Sequence, residues 1–158
     1  MSAQSLQALD VLLERAEAER DEVLRLLRDA ETRAGAMRQQ HEQLAQYRTE
    51  YRTRWTQSFA RSTTVDILSC YQSFGGRLDQ AISQQDLLSN QAEQRLALIR
   101  EQLRERELRV ASVRKLLERR RLEARRSQER QEQKATDEQA ARTLRHAGFG
   151  AAALRLGH

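Results

Sequence analysis

The feature that most constrains this chain is a seam of apolar side chains that recurs at alternating steps of three and four residues from Leu6 to Ser58. Twelve of its sixteen positions are apolar or aromatic, and no proline interrupts it. A seven-residue repeat kept over this length is typical of a coiled coil rather than of one face of a globular helix. The first part of the chain is therefore predicted to form a helix over about 3–58.

A second seam of the same kind begins at Tyr71. Its one irregularity is the step from Leu88 to Ala92 to Leu96, which is four residues and then four again. Such a stutter locally unwinds a supercoil. The pattern predicts a second helix over about 65–145.

Serine and threonine cluster between the two seams, in the stretch QSFARSTTV. These side chains compete with helical hydrogen bonds, and they predict a turn over about 59–64. Thr63, followed three residues later by Asp66, resembles a capping box, so the second helix is expected to begin near Thr64. Two seams joined by so short a turn predict an all-α fold, a long antiparallel two-helix coiled-coil hairpin that forms a single domain over 1–145.

The second helix is predicted to be longer than the first, so residues 120–145 are expected to overhang the hairpin. Their apolar content is low, as it would be in a segment without a helical partner. Three glycines follow His146, and glycine favours helix ends. Residues 146–158 are therefore predicted to form a flexible tail.

The charge of the chain is uneven. The formal net charge is +5, and residues 61–158 carry 19 basic and 13 acidic side chains. The run from Arg114 to Arg130 alone holds eight basic residues and three glutamates. A basic excess can attract nucleic acid, an acidic protein or a membrane surface. No aromatic residue interleaves the run for base stacking, so nucleic acid is not the expected partner.

The patterns that mark enzymes and membrane proteins are missing from the sequence. There is no glycine-rich phosphate loop, and the three histidines have no metal-ligand spacing with one another or with Cys70. We find no secretory signal and no apolar run of the ~20 residues that a membrane span needs. The predictions are no catalytic residue, no metal, no cofactor, no small-molecule substrate and a cytoplasmic location.

Three of the seven aromatic residues lie at four-residue spacing in the stretch LAQYRTEYRTRW. Tyr51 and Trp55 fall on the first seam, and Tyr71 begins the second. One interpretation is that these rings, with Tyr47 beside them, form the hairpin seam near the turn. The alternative is that Tyr47 and the neighbouring arginines face a binding partner.

A stripe of four residues lies on one face of the second helix just after the turn: Phe74, Leu78, Ala81 and Gln85. It either packs on the first helix or stays partly free to bind a partner. Gly75 and Gly76 interrupt this region, although each costs ~1 kcal/mol relative to alanine inside a helix. Two glycines here suggest a close approach or a bend.

Four short motifs, in this order, resemble a known family. They are LxxYxxEYR from Leu44, YQxF from Tyr71, LxxAIxQ from Leu78 and EQKxxDExAxR from Glu132. Together they resemble FliJ, a small component of the bacterial flagellar type III export apparatus, over residues 5 to about 145.

The resemblance implies a coiled-coil stalk that acts in the cytoplasm, peripherally at the inner-membrane export apparatus. Its terminal end would bind and stimulate the hexameric export ATPase, and its turn-proximal part would engage the cytoplasmic domain of the transmembrane export gate. A role in handling export chaperones is also implied. Carried over to this chain, the gate-binding residues are the stripe from Phe74 to Gln85. The ring-binding residues are Leu6, Leu9, Leu13, Arg119, Arg120, Arg126, Arg130, Lys134, Asp137, Glu138 and Arg142.

Three alternatives remain open at this level. The chain could be the equivalent stalk of a virulence-type III secretion system, which would share the hairpin. It could be a basic coiled coil that binds nucleic acid through residues 114–130. It could also be a structural coiled coil whose seams are buried between two copies of the chain.

Overall fold

The computed structural model describes residues 3–157 and consists of two helices. Helix α1 spans Ala3–Arg61 and helix α2 spans Val65–Leu156, with three residues between them. The described residues contain no strand. The two helices pack against each other, so the predicted all-α helical hairpin is confirmed.

Contacts divide the chain into two units. The first, unit one, combines residues 1–15 with 110–158, and the second, unit two, comprises residues 16–109. Each contains a segment of α1 and a segment of α2.

The core of unit two is narrow and built largely from small side chains. Its buried members come from both helices and follow the predicted seams: Val23, Ala30, Ala34, Ala92, Leu96 and Ile99. Leu26, Leu27, Met37 and Leu103 pack against them at the margins. No polar side chain is buried in the described part of the chain. The helices of this unit are therefore joined by a strip of apolar contacts rather than by a wide interior.

Polar contacts flank the core of unit two. Arg106 Nη1 donates a hydrogen bond of 3.0 Å to Glu19 Oε2, and Arg38 pairs with Glu93. Both pairs join α1 to α2 at the edge of the core, and an ion pair that water reaches contributes about 0–1 kcal/mol. These contacts help to set the register between α1 and α2, while burial of apolar side chains supplies most of the stability of unit two.

Unit one has a smaller core. Val110, Val113 and Leu117 of α2 are buried, and Leu6 and Leu9 of α1 are half-buried. Arg121 Nη2 pairs with Asp10 Oδ1 of α1 at 2.8 Å. From residue 125 to residue 140 every side chain of α2 is exposed. This part of the helix therefore has no packing partner among the described residues.

The start of α2 differs in detail from the prediction. The backbone N–H of Ile67 donates to the hydroxyl oxygen of Thr64 at 3.3 Å, which makes Thr64 the residue that caps the helix. The hydroxyl of Thr63 instead donates to the carbonyl of Phe59 in the last turn of α1. The capping box proposed for Thr63 and Asp66 was therefore wrong by one residue, because the Thr63 hydroxyl bonds back to the last turn of α1 and Thr64 supplies the cap.

The helix ends also lie beyond the predicted ones. Helix α1 reaches Arg61, past residue 58, and α2 continues to Leu156, past residue 145. None of the glycines in the described chain has the positive φ of a helix-ending cap. Near the end of α2, a leucine and several alanines lie around Gly148 and Gly150. These residues favour helix strongly and offset the low helix preference of glycine. The end placed at residue 145 was therefore wrong, whereas the flexibility of residues 146–158 stays a prediction.

Candidate functional site

Next to the turn, unit two contains an aromatic cluster. Its members are Tyr47, Tyr51, Trp55, Phe59, Tyr71 and Phe74. The ring centroid of Tyr51 lies 4.9 Å from that of Phe74 and 5.5 Å from that of Tyr71. Phe59 meets Tyr71 edge to face at 5.2 Å. Each such pair adds about 0.5–1.5 kcal/mol to the effect of burial, so the cluster joins α1 to α2 where the aliphatic core has ended.

The aromatic cluster is open on one side. Tyr47 is 46% exposed and Phe74 is 40% exposed, although both rings contact the central Tyr51. Burial is the main cause that raises the pKa of the Tyr51 hydroxyl above its usual range. The inner rings are therefore held by packing, while the two outer rings offer apolar area to a partner.

Arg48 lies beside the aromatic cluster and links the two helices. Its Nε donates to Asp79 Oδ1 at 2.8 Å and its Nη2 to Asp79 Oδ2 at 3.3 Å. This paired hydrogen bond is the main cause that raises the pKa of Arg48 and lowers that of Asp79. Gly75 makes room for the guanidinium, because a Cβ at that position would lie 3.1 Å from Arg48 Nη2. The close approach suggested by the two glycines therefore occurs at Gly75, whereas Gly76 faces open space.

The four residues of the predicted gate-binding stripe have different surroundings. Leu78 is buried, at 7% exposure, and Ala81 is half-buried. The side-chain amide of Gln85 donates to the carbonyl oxygen of Met37 at 3.2 Å and to Gln40 Oε1 at 3.1 Å. Phe74 is the most exposed of the four. Three of the four residues thus support the contact between the helices, and Phe74 is the most accessible of the four.

An open groove adjoins Gln85. It has a volume of about 520 Å³ and is lined by Gln40, Gln43, Leu44, Tyr47 and Gln85. Three glutamines and two apolar side chains offer both hydrogen bonds and apolar contact. We call it the glutamine groove, and Tyr47 belongs both to it and to the aromatic cluster.

In unit one, the predicted ring-binding residues form two groups. Leu6, Leu9 and Leu13 are half-buried on α1. The second group lies on α2, where Arg120 pairs with Glu123 at 3.3 Å and the other members are exposed: Arg119, Arg126, Arg130, Lys134, Asp137, Glu138 and Arg142. Asp137 accepts a hydrogen bond from Gln133, one turn earlier. The second group therefore forms a polar, largely unpaired helix surface.

Neither a metal site nor a membrane span is found in the part of the chain that the structure describes. No group of three or more metal-binding side chains comes together among residues 3–157. No helix there is both long enough and apolar enough to cross a bilayer.

Comparison with known proteins identifies the family. The model of the flagellar FliJ protein family matches residues 5–148. The chain belongs to the FliJ family. No curated protein and no solved structure matched the chain in the same comparisons. Membership gives the chain a role in flagellar protein export, in association with the export apparatus.

In this FliJ-family chain, the two predicted binding surfaces fall in different units. The stripe from Phe74 to Gln85 lies in unit two, and every predicted ring-binding residue lies in unit one. Phe59, Arg48 and Asp79 were missed as parts of the turn-proximal region. A basic residue at a seam position was the available signal for Arg48, because a charge there must find a partner on the facing helix. Its partner Asp79 could not be identified without the register between the helices.

Proposed function

We propose that this protein is the coiled-coil stalk of a flagellar export apparatus, that it binds and stimulates the hexameric export ATPase, and that it links this ring to the export gate. The observation that carries the proposal is the α2 segment from residue 125 to residue 140, in a chain of the FliJ family. It is helical, rich in charge and without any packing partner among the described residues. A polar helix that continues beyond its partner is suited to docking into another protein.

Residues 125–142 carry five basic and four acidic side chains, so the proposed contact with carboxylates of a ring rests on individual exposed cations rather than on net charge. Arg126, Lys134 and Arg142 are exposed and make no ion pair with another described residue. Complementary charge steers encounter and fixes register more than it adds affinity. The stalk itself would hydrolyse nothing, since its effect would be to favour assembly and turnover of the ring.

Charge reversal tests this contact. We expect Arg126→Glu with Arg130→Glu to reduce stimulation of ATP hydrolysis by the purified cognate ring at least about fivefold, because two favourable contacts become repulsive. A matched control is Arg28→Glu with Arg100→Glu, which makes the same change in net charge on exposed residues of unit two. Equal loss in both double variants would refute the assigned surface, and an unchanged rate in both would refute it as well.

For the gate, we propose the exposed edge of the turn-proximal region. Phe74 and Tyr47 are the outer rings of the aromatic cluster there, and Tyr47 also lines the glutamine groove. Ala81 and Gln85 would lie at the border of this contact. Leu78, which is buried, would hold the two helices together beneath it. The test is binding of the purified cytoplasmic domain of the gate to Phe74→Ala and to Tyr47→Ala. Each is expected to weaken binding roughly tenfold and to leave ATPase stimulation intact. Wild-type affinity in both variants would contradict the assignment.

The same proposal places the protein in the cytoplasm, peripherally at the inner membrane, and gives it a role in handling export chaperones. Both follow from the family resemblance. The match to the flagellar family favours this role over a virulence-type secretion stalk and over a nucleic-acid-binding coiled coil.

A further inference from the structure

Unit two contains a second groove, which lies between the helices. It has a volume of about 510 Å³ and is lined by Leu26, Asp29, Ala30, Arg33, Met37, Leu88, Gln91, Ala92 and Arg95. We call it the alanine groove. Its wall on α1 extends from Leu26 to Met37, which corresponds to about 16 Å, or three helical turns.

Small side chains and the stutter explain why the groove exists. The seam in this region is occupied by Ala30, Ala34 and Ala92, which are buried but fill little volume. Two steps of four residues separate Leu88 from the buried Leu96, so Leu88 lies off the line of the seam, and it is 46% exposed. Exposing the apolar side chain of leucine to water is unfavourable in free energy. Another apolar surface that covered Leu88 would remove this cost.

Two arginines give the alanine groove a positive rim. Arg33 and Arg95 line it, and neither forms an ion pair with another described residue. The one carboxylate of the lining, Asp29, already accepts a hydrogen bond of 3.3 Å from Arg25. The uncompensated charge in the groove is therefore positive, next to leucine and methionine side chains.

We propose that the alanine groove binds an acidic amphipathic helix of another protein, which packs as a third helix between α1 and α2. The apolar face of that helix would cover Leu88, and its carboxylates would pair with Arg33 and Arg95. A helix of about three turns matches the length of the wall. Packing into a groove through residues spaced three and four apart is a general mode of helix recognition.

Two other occupants fit less well. A nucleic acid would satisfy the arginines, but the lining contains no aromatic side chain for bases to stack on, and Leu26, Met37 and Leu88 would gain nothing from a phosphate backbone. A second copy docked through the same face would bring two positive rims together, since a two-fold contact uses the same patch on both copies. Like charges at such a contact repel.

The proposal is tested with the full-length chain and a fluorescent, helix-stapled peptide of about 15 residues. The peptide carries leucines at alternating spacings of three and four residues, with glutamates beside them. A second peptide has lysine in place of every glutamate. We expect the acidic peptide to bind with a dissociation constant on the order of 10–100 µM, measured by fluorescence anisotropy, and the basic peptide not to bind.

Variants of the chain locate the site. Arg33→Glu with Arg95→Glu is expected to weaken binding of the acidic peptide at least about tenfold and to allow binding of the basic one. Leu88→Glu should weaken the acidic peptide similarly, because it buries a repulsive charge. Arg28→Glu with Arg100→Glu and the exposed Leu98→Glu are the controls, and both should bind like the wild type.

Several results would overturn the proposal. They are no binding of the acidic peptide up to about 1 mM, equal binding of the two peptides, or binding that survives the groove variants. Complete displacement by a single-stranded DNA oligonucleotide would assign the arginines to phosphate. Self-association that Leu88→Glu abolishes would assign the groove to a second copy. These results are independent of the stalk function, whose tests use residues outside the groove.

Discussion

Neighbouring glycines in α2 have different surroundings, although both lie inside the same helix. A Cβ on Gly75 would press on Arg48 Nη2 at 3.1 Å, and Arg48 is held in place by Asp79. A Cβ on Gly76 would meet nothing within 4 Å. Gly76→Ala is therefore expected to raise the free energy of unfolding by about 0.5–1 kcal/mol, through the helix preference of alanine.

Gly75→Ala should give a smaller gain or a loss, because the guanidinium must move away from the new methyl group. Urea unfolding of the two variants beside the wild type measures the difference. Equal gains from both substitutions would contradict the close contact between Gly75 and Arg48.

The Arg48–Asp79 pair predicts a dependence of stability on pH. The hydrogen bond from Arg48 is the main cause that lowers the pKa of Asp79 in the folded chain. An unfolded aspartate has a pKa of about 3.9 and therefore binds its proton first as the pH falls. The stabilisation is present in full above that value and is lost as the pH falls through the lowered pKa of the folded state.

Asp79→Asn removes the titrating group, so its free energy of unfolding should fall less steeply than that of the wild type between about pH 5 and pH 2. Urea unfolding of the variant and the wild type across this pH range measures the two slopes. The other carboxylates are common to both proteins, so a difference in slope belongs to Asp79. Parallel curves would show that the pair does not contribute.

At the scale of a helix, the narrow core makes individual seam residues important. Leu96 is 4% exposed and belongs to the core of unit two, whereas Leu98 on the same helix is 67% exposed. Leu96→Ala is expected to cost about 2–4 kcal/mol, from lost burial and the cavity left behind. Leu98→Ala should stay within about 0.5 kcal/mol of the wild type. Thermal and urea unfolding compare them, and similar losses from both would be inconsistent with the assigned seam.

The start of α2 offers a second test at this scale. Thr64 caps the helix through its hydroxyl, while the hydroxyl of Thr63 bonds back to the preceding helix. Thr64→Ala is expected to destabilise the chain by about 1 kcal/mol, and Thr63→Ala by clearly less. A larger loss of stability from Thr63→Ala than from Thr64→Ala in the same unfolding measurements would instead support Thr63 as the capping residue, as the sequence suggested.

The seams were predictable because apolar spacing is a direct consequence of helix geometry. Leu96, Ile99 and Val113 are buried where the spacing places them. Helix ends were less predictable, since they depend on small differences between competing preferences. The alanines around Gly150 outweigh its cost, and a single hydroxyl decides between Thr63 and Thr64 at the turn.

Over the chain as a whole, the two helices differ in length. Helix α1 has 59 residues and α2 has 92, so part of α2 has no counterpart on α1. The sequence predicted this excess from the unequal lengths of the two predicted helices, and the low apolar content of residues 120–145 agreed with it. The alanine groove could not be predicted, because the volume between two helices depends on which side chains face each other. Arg33 and Arg95 are far apart in the chain, and only folding makes them neighbours of one groove.

Residues 125–140 of α2, which no other described residue packs against, are proposed to act on the export ATPase. The decisive measurement is the rate of ATP hydrolysis by the purified cognate ring with the full chain and with a chain that ends at residue 125. The shortened chain keeps the buried Val110, Val113 and Leu117, so its thermal unfolding should change little. Stimulation by the full chain and its loss in the shortened, folded chain is the predicted result. Equal stimulation by both, or none by either, would contradict the stalk function.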